Sequence, residues 1–468
     1  MIQRRFAAAA AILLSLAVSG AAPVSEPPAD FRQAAAETLD HLKALVRLDT
    51  SNPPGNESRV TAYLAEALRR AGLEPRRFES EPGRGSLAVR YSSGGQGKPL
   101  LIMSHIDVVP VERSLWSVPP FDAVEKDGYL WGRGTLDDKG MAAAELETML
   151  LLARQKTVLG RDVIFLAEAD EEAGGGRGMD WLLERHPDLF DVGMVINEGG
   201  RVIRGDDGAV SYVAVQTTEK IYQDFTLVAH GTAGHSSIPT GDNPIDRLVG
   251  ALGRVATLTF EPRLNEVTRA FFSGLAAVLP PDQAGCARGL DDPQSGPRCV
   301  GMLSANPNFG AMLRTTCTPT ILNAGYKENV IPAEARANLN CRILPGTDLQ
   351  AFAALLRERI GDPKVELGLA RPAKPGPGPS PTDTPLYRAI EKVARSMAPR
   401  APVVPYMSPG GTDSQVLRAR GLVAYGLLPF PIREEDLRTM HANDEKIALG
   451  SLAFGTEMLY RIVLEAAR

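Results

Sequence analysis

A histidine and several carboxylates are spaced along this chain as metal ligands would be. His105 stands where the apolar run Pro99 to Met103 gives out, and Asp107 follows two residues later. The period of a strand puts both on one face, where Asp107 can hold the ring of a metal-binding His105 from behind. Gly132-Arg133-Gly134-Thr135-Leu136-Asp137-Asp138-Lys139-Gly140 is a glycine-framed turn carrying adjacent carboxylates into a helix. Two later strand-like runs end in Ala169-Asp170-Glu171-Glu172-Ala173-Gly174-Gly175 and Asn197-Glu198-Gly199-Gly200. Taken singly, each has an ordinary reading: a structural histidine, a helix capped by Asp137 or Asp138, a solvated acidic turn. Together they point elsewhere, because open α/β sheets gather ligands at the carboxyl ends of their strands and crowded carboxylates repel unless a cation neutralises them. His441, in Arg438-Thr439-Met440-His441-Ala442-Asn443-Asp444-Glu445, adds a second nitrogen donor before a helix expected to be capped by Asn443. Mixed nitrogen and oxygen donors favour zinc, with cobalt or manganese next, over magnesium or the soft-ligand metals. His41 and His186 lack acidic company and read as structural.

The elements that must position these groups follow from periodicity. Leu39, Leu42, Leu45, Val46, Leu64 and Leu68 mark two helices between Asp30 and Leu73, broken at Ser51-Asn52-Pro53-Pro54-Gly55. Strand-like runs then alternate with helices: Pro99 to Ser104, a helix Lys139 to Gln155, Asp162 to Ala167, a helix Met179 to Arg185, and Val192 to Ile196. That alternation predicts an α/β fold with a mostly parallel sheet and flanking helices. Beyond about Tyr222 the pattern becomes α+β, with strands at Asp224 to Ala229 and Ala335 to Arg342 and helices at Ile245 to Ala256 and Leu349 to Ile360. The Pro-rich stretch 371–385 reads as a hinge, after which helix Leu386 to Met397 and strand Val423 to Leu427 return to the first domain. The expected organisation is a catalytic domain in two parts, 30–221 and 373–468, interrupted by an α+β insertion, 222–372.

The 468 residues carry 44% hydrophobic and 23% charged side chains, which suits a folded chain with ample length for a core. A formal charge of −5, without a long basic block, argues against nucleic acid as a partner. Arg4 and Arg5, the apolar run Phe6 to Val18, and small residues Ser19 to Ala22 read as a secretory signal over 1–22, with Arg4-Arg5-Phe6 a weak twin-arginine feature. The run is short for a bilayer span, so a periplasmic or secreted chain without a membrane span is expected after cleavage. In an oxidising compartment the four cysteines can pair. Cys286 with Cys299, bracketing a Gly/Pro/Asp loop, is the favoured pair and is worth roughly 3 kcal/mol; for Cys317 and Cys341, free buried thiols remain an alternative.

These motifs, in this order, resemble the dinuclear zinc hydrolases that include carboxypeptidase G, yeast carboxypeptidase S, aminoacylases, acetylornithine deacetylase and succinyl-diaminopimelate desuccinylase. The resemblance spans about residues 35 to 465 and is strongest to the carboxypeptidase S-like and fatty-acyl-amino-acid hydrolase branch, through SHIDVVPV and WSVPPFDAVEKDGYLWGRGTLDDKG. It implies that Asp137 bridges two zinc ions, completed by His105 and Glu198 on one side and by Glu172 and His441 on the other. It further implies Glu171 as general base, Asp107 as the residue orienting His105, and a cis peptide after Asp137. The insertion becomes a lid and dimerisation domain, in which Gly231-Thr232-Ala233-Gly234-His235-Ser236-Ser237 carries an oxyanion-binding His235, commonly acting across a dimer. Asn329 and Arg342 match the lid residues that hold a substrate carboxylate. Gly410, Gly411 and Thr412 match the glycine turn lining the same pocket. Glu219-Lys220-Ile221 departs from the pattern by lacking the usual glycine, and the Cys286 to Cys299 loop enlarges the lid.

The chemistry implied is release of a C-terminal amino acid from a small peptide or N-acyl amino acid, with Arg342 recognising the free carboxylate through its planar fork. Three other readings stand beside it: a dipeptidase needing a free amino terminus, a metal-dependent binding protein without turnover, and a dinuclear phosphoesterase. Glu171 argues against the second. The third wants phosphate-binding cations beside the metals, where the motifs supply only Arg133 and Lys139.

Overall fold

The computed structural model describes residues 29–371 and 376–468; the expected signal segment, 1–22, lies outside them. Leu100 to Met103 and Val163 to Ala167 are unbroken apolar runs, the mark of strands covered on both faces. They are neighbours in an eight-stranded sheet ordered Arg76–Glu79, Gly85–Tyr91, Arg161–Glu168, Gly97–His105, Met194–Arg204, Ala424–Ile432, Val210–Glu219, Val403–Ser408. Its middle is parallel: Gly97–His105 runs beside Arg161–Glu168 and Met194–Arg204, and Met194–Arg204 beside Ala424–Ile432. Two antiparallel pairings close one edge.

Alternate side chains of each central strand enter different cores. Leu100 and Ile102 pack beneath Phe31–Val46, Lys139–Gln155, Pro385–Met397 and Leu449–Ala467. Leu101 and Met103 meet Met179–Arg185 and Ser414–Ala419 on the other face. Each such buried side chain contributes about 1.5–3 kcal/mol. Lys139–Gln155 is buried on every side through Leu152, which is why its sequence shows little amphipathic contrast. Among the described residues no helix is long and apolar enough to cross a membrane.

A second, antiparallel sheet is ordered Thr316–Ala324, Glu334–Ile343, Ile221–His230, Val365–Leu369. Pro244–Ala256 and Leu349–Ile360 pack on it around Phe225, Leu227, Leu339 and Phe352. The sequence treats 222–372 as one insertion, but its middle goes elsewhere. Helices Glu266–Leu275, Pro281–Arg288, Gly296–Leu303 and Pro307–Leu313 bury Phe271, Phe272 and Phe309 against Tyr212, Val404 and Tyr406 of the large sheet. The aromatic edge of that sheet needs a cover, and these helices provide it. Cys286–Cys299 ties two of them together, while Cys317–Cys341 joins two paired strands of the small sheet, so the free-thiol alternative does not hold.

Two local expectations are corrected. The strand expected to stop at Ile196 continues to Arg204, so Glu198 projects from within it. Gly199, at φ +106, and Gly200, whose backbone approaches Gly426, let the chain bulge there, the pairing with Ala424–Ile432 shifting register between Asn197 and Arg201. Asn443 caps no helix: a short strand, Lys446–Ala448, intervenes before Leu449–Ala467. That strand pairs with Tyr129–Trp131, which in turn pairs with Val124–Lys126.

Candidate metal centre

His105 ends its strand with the ring buried. Its Nδ1 donates to the backbone carbonyl of Asp107 at 3.0 Å, leaving Nε2 to face the Asp137 Oδ1 at the same distance. The Asp107 carboxylate lies 3.5 Å from Nδ1 but has other business. It accepts from Asn52 Nδ2 at 2.8 Å and from the backbone N–H groups of Glu171 and Glu172 at 3.2 and 3.1 Å. Asp107 therefore holds the acidic turn as well as the ring.

Asp170, at φ +72, sets that turn's direction. Its carboxylate accepts from Arg84 at 2.6 Å, from Asn52 at 3.1 Å and from the Arg177 N–H at 2.7 Å. Arg84 in turn forks onto the buried Glu57 at 2.7 and 2.9 Å. None of Asn52, Glu57, Arg84 or Asp170 was singled out from sequence; their buried pairing across distant segments leaves no periodic signal.

Glu445 is the other missed residue. Its carboxylate accepts the N–H groups of Gly134, Leu136 and Asp137 at 2.9, 2.7 and 3.1 Å, together with Arg133 Nη1 at 2.7 Å. Arg133 also reaches the Ala442 carbonyl at 2.7 Å. The Gly132 turn and the His441 turn are thus one hydrogen-bonded unit. The Asp137–Asp138 peptide is cis, and Lys139 opens the helix behind it with Nζ donating to the Leu45 and Leu48 carbonyls at 3.1 and 2.7 Å.

The carboxylate of Asp137 divides its oxygens. Oδ1 faces His105 Nε2 and Oδ2 faces His441 Nε2, each at 3.0 Å, and His441 Nε2 also lies 3.0 Å from Glu172 Oε1. Two sets of ligand atoms result, His105 with Asp137 and Glu198, and Asp137 with Glu172 and His441, the atoms of each within 4.8 Å of one another. His441 is held at φ +58, a strained position for a residue with a side chain.

The electrostatics fit a cation. Burial and the Asp137 carboxylate push Glu198 up to about 8. Burial raises Glu171 well above the usual carboxylate range, and the neighbouring Glu198 and Asp413 add to it against His105. Burial also acts to raise Asp137, but hydrogen bonds from His105 and His441 outweigh it and hold that carboxyl low. Bonds to Asp137 and Glu172 raise His441 to about 11. Asp138 is fully buried with no hydrogen-bond partner for either oxygen. So many acids, one of them unsatisfied, fit a pair of divalent cations better than a set of protons.

Asp137, Glu171, Glu172, Glu198 and His441 line a cavity of about 720 Å³ with Arg342, Gly410, Gly411 and Thr412. Arg342 lies over the Tyr222 ring at 4.3 Å. Thr412 donates through N and Oγ1 to the buried Glu219 at 2.9 and 3.0 Å. His235 and Asn329 do not line the cavity; they sit on an exposed ribbon in which Gly234–His235 pairs with Val330–Ile331. His41, bonded to Tyr63 at 2.8 Å, and His186, against Phe78 and Trp181, pack structurally.

The model of the peptidase family M20/M25/M40 matches residues 101–465. An N-fatty-acyl-amino acid synthase/hydrolase, PM20D1, of Xenopus tropicalis is 28% identical over 435 residues, covering 88% of this chain and 82% of that protein. The probable carboxypeptidase S-like 2 of Dictyostelium discoideum is 29% identical over 377 residues, covering 78% and 71%. An M20 family metallo-carboxypeptidase from Sulfolobus solfataricus shares the fold with a TM-score of 0.72 at 19% identity, covering 92% of this chain and 99% of that one.

Proposed function

The chain belongs to peptidase family M20/M25/M40, hydrolases of amide bonds, and from that premise we propose that it is a dinuclear zinc amidohydrolase releasing a C-terminal amino acid from an N-acyl amino acid or small peptide. The observation that carries this reading is the Asp137 carboxylate shared between His105 and His441 at 3.0 Å on each side. His105, Asp137 and Glu198 would hold one ion, and Asp137, Glu172 and His441 the other. Such a pair, when bound, polarises an amide carbonyl and eases ionisation of water at neutral pH.

Glu171 accepts the proton of the attacking water and passes it to the leaving nitrogen. Its position on the cavity wall beside Glu172 supports that role. Arg342 pairs with the free carboxylate of the departing amino acid, and the turn Gly410, Gly411, Thr412 borders the same space. Val109, Leu428, Leu437 and Met440 give the cavity an apolar side. That favours an acyl group over the charged amine of a free dipeptide. His235 reaches the developing oxyanion, and Asn329 the substrate carboxylate, from a second copy of the chain. The exposed edge strand Thr316–Ala324, with Ile321 and Leu322 55% and 57% exposed, supports such pairing through the small sheet. The expected leader places the enzyme in the periplasm or outside the cell.

The test is metal content together with hydrolysis of dipeptides and N-acyl amino acids, before and after chelation. Two zinc ions per chain with chelator-sensitive release of a free amino acid is the expected result. Bound metal without turnover on any substrate would leave a binding protein or a phosphoesterase, and no bound metal after reconstitution would remove the site itself.

A further inference from the structure

Three arginines border the candidate cavity, and they are engaged differently. Arg201 is stacked over Tyr406 at 4.7 Å. Arg342 and Arg371 arrive on opposite sides of a single strand, Ile221–His230. On one side Glu334–Ile343 pairs with it, placing Arg342 opposite Tyr222. On the other, Val365–Leu369 pairs with it, placing Leu369 opposite Phe225. Past Leu369 the chain stays tied to the same strand. The Ala370 N–H donates to the Asp224 carbonyl at 3.0 Å, and Gln223 Nε2 donates to the Arg371 carbonyl at 3.3 Å.

From there the Arg371 side chain crosses to the acidic turn, where Nη1 donates to the Ala173 carbonyl at 3.4 Å, directly after Glu171 and Glu172. Gly174 makes the passage: a Cβ there would lie 2.3 Å from that Nη1. Asp224, between the two arginines, already accepts from the Tyr222 hydroxyl at 2.6 Å and from Asn340 and Asn338 at 2.8 and 3.1 Å. Among the described residues it makes no direct ion pair with either guanidinium, although, against burial, the Arg371 charge joins those hydrogen bonds in holding its carboxyl low. Strands about 4.8 Å apart put the flanking backbones roughly 10 Å apart, so two long side chains can converge on groups a few ångströms from each other. One carboxylate occupies one guanidinium fork, and a second fork facing the same space calls for a second anion.

We propose that Arg371 is a specificity-determining residue: it pairs with the side-chain carboxylate of the released amino acid while Arg342 holds the α-carboxylate, so that N-acyl aspartates and glutamates are preferred substrates. This rests on the amidohydrolase reading above.

The experiment compares kcat/KM of the zinc-loaded protein on N-acetyl-glutamate, N-acetyl-glutamine, N-acetyl-leucine and N-succinyl-leucine, for the native chain, Arg371→Ala and Arg371→Lys. The expected result is a preference for glutamate over glutamine of roughly tenfold or more, as charge-assisted pairing at a partly exposed site supplies. Arg371→Ala brings that ratio close to one and Arg371→Lys restores part of it, whereas general damage to the fold lowers both rates alike. A ratio unchanged in Arg371→Ala overturns the proposal, as does a preference that falls on N-succinyl-leucine, which puts the second anion on the acyl side. If no substrate is cleaved, the amidohydrolase reading is what has failed. Calorimetric binding of free glutamate against glutamine then decides the role of Arg371 without turnover, equal affinities overturning it.

Discussion

One oxygen of Glu445 accepts the backbone N–H groups of both Leu136 and Asp137, at 2.7 and 3.1 Å. The residue four places after His441 thereby fixes the peptide that carries the shared carboxylate. Neither turn is regular structure: without the other, one would leave the N–H groups of Gly132, Gly134, Leu136 and Asp137 orphaned, and the other the carbonyls of Ala442 and Glu445. Burial raises the Glu445 carboxyl, while Arg133 works to keep it ionised. The pair ties the spacing of the two histidines about Asp137 to a buried contact that never touches substrate.

Glu445→Ala is therefore expected to strip metal and destabilise the fold together. It leaves Arg133 buried and uncompensated, a change that typically costs about 3–5 kcal/mol, with three backbone donors unpaired as well. Denaturant unfolding and zinc content of the same preparation check this. Full zinc occupancy with native stability in the variant would show that the two turns hold themselves.

Glu171→Gln separates chemistry from metal binding. Glu171 belongs to neither ligand set, so both ions should stay while the rate falls on the order of 10² to 10⁴-fold, the usual worth of a general base. Zinc analysis beside kcat is the measurement. Near-native turnover would reassign the proton transfer to another group.

His105, Glu171 and Glu172 were legible because they stand at or just past the ends of adjacent parallel strands, and strand ends show in a sequence as apolar runs stopping at polar residues, whereas Asp137 and His441 arrive on turns outside that sheet and were legible through their motifs. Glu198 was legible as an acid but misplaced at a strand end, since Gly199 and Gly200 look like a stop and act as a bend within a strand. The scaffold of Asn52, Glu57, Arg84, Asp170 and Glu445 was not legible: each is a polar residue whose partner lies far along the chain, and nothing local distinguishes a buried carboxylate from a solvated one. The helices from Glu266 to Leu313 show their own periodicity, but not that the aromatic edge at Tyr406 would draw them to the large sheet.

Glu147 supplies a pH test away from the metal centre. It is wholly buried on the helix Lys139–Gln155, with His41 Nε2 4.0 Å away, and burial, then the Glu37 carboxylate, pushes it up to about 8. The folded state thus holds a proton that the unfolded chain releases from about pH 4.5. Folded protein binds more protons between those values, so stability falls as pH rises through the window, the loss being complete above about pH 8. Glu147→Gln lacks this fall, and its advantage over the native chain should grow from nothing near pH 4.5 to about 4–5 kcal/mol at pH 8. Thermal unfolding of both proteins across that range reads it. An offset independent of pH would mean that Glu147 is ionised in the fold.

His235 is exposed and lies outside the cavity, with its Nδ1 occupied by the Ser237 hydroxyl at 2.7 Å. If it serves the active site of a second copy, His235→Ala keeps both metals and slows turnover by about 10² to 10³, as loss of one oxyanion donor does. Glu171→Gln is also slow, for a separate reason. Mixed and allowed to exchange subunits, the two slow variants should regain activity. In a heterodimer, one site has native Glu171 from one chain and native His235 from the other, while the second site lacks both. Reactivation to a sizeable fraction of the native rate, growing with the time allowed for exchange, is the expected outcome. A mixture no faster than the sum of its parts, in a protein shown to exchange subunits, would put His235 in its own chain's site, and a monomer in solution would remove the trans arrangement altogether.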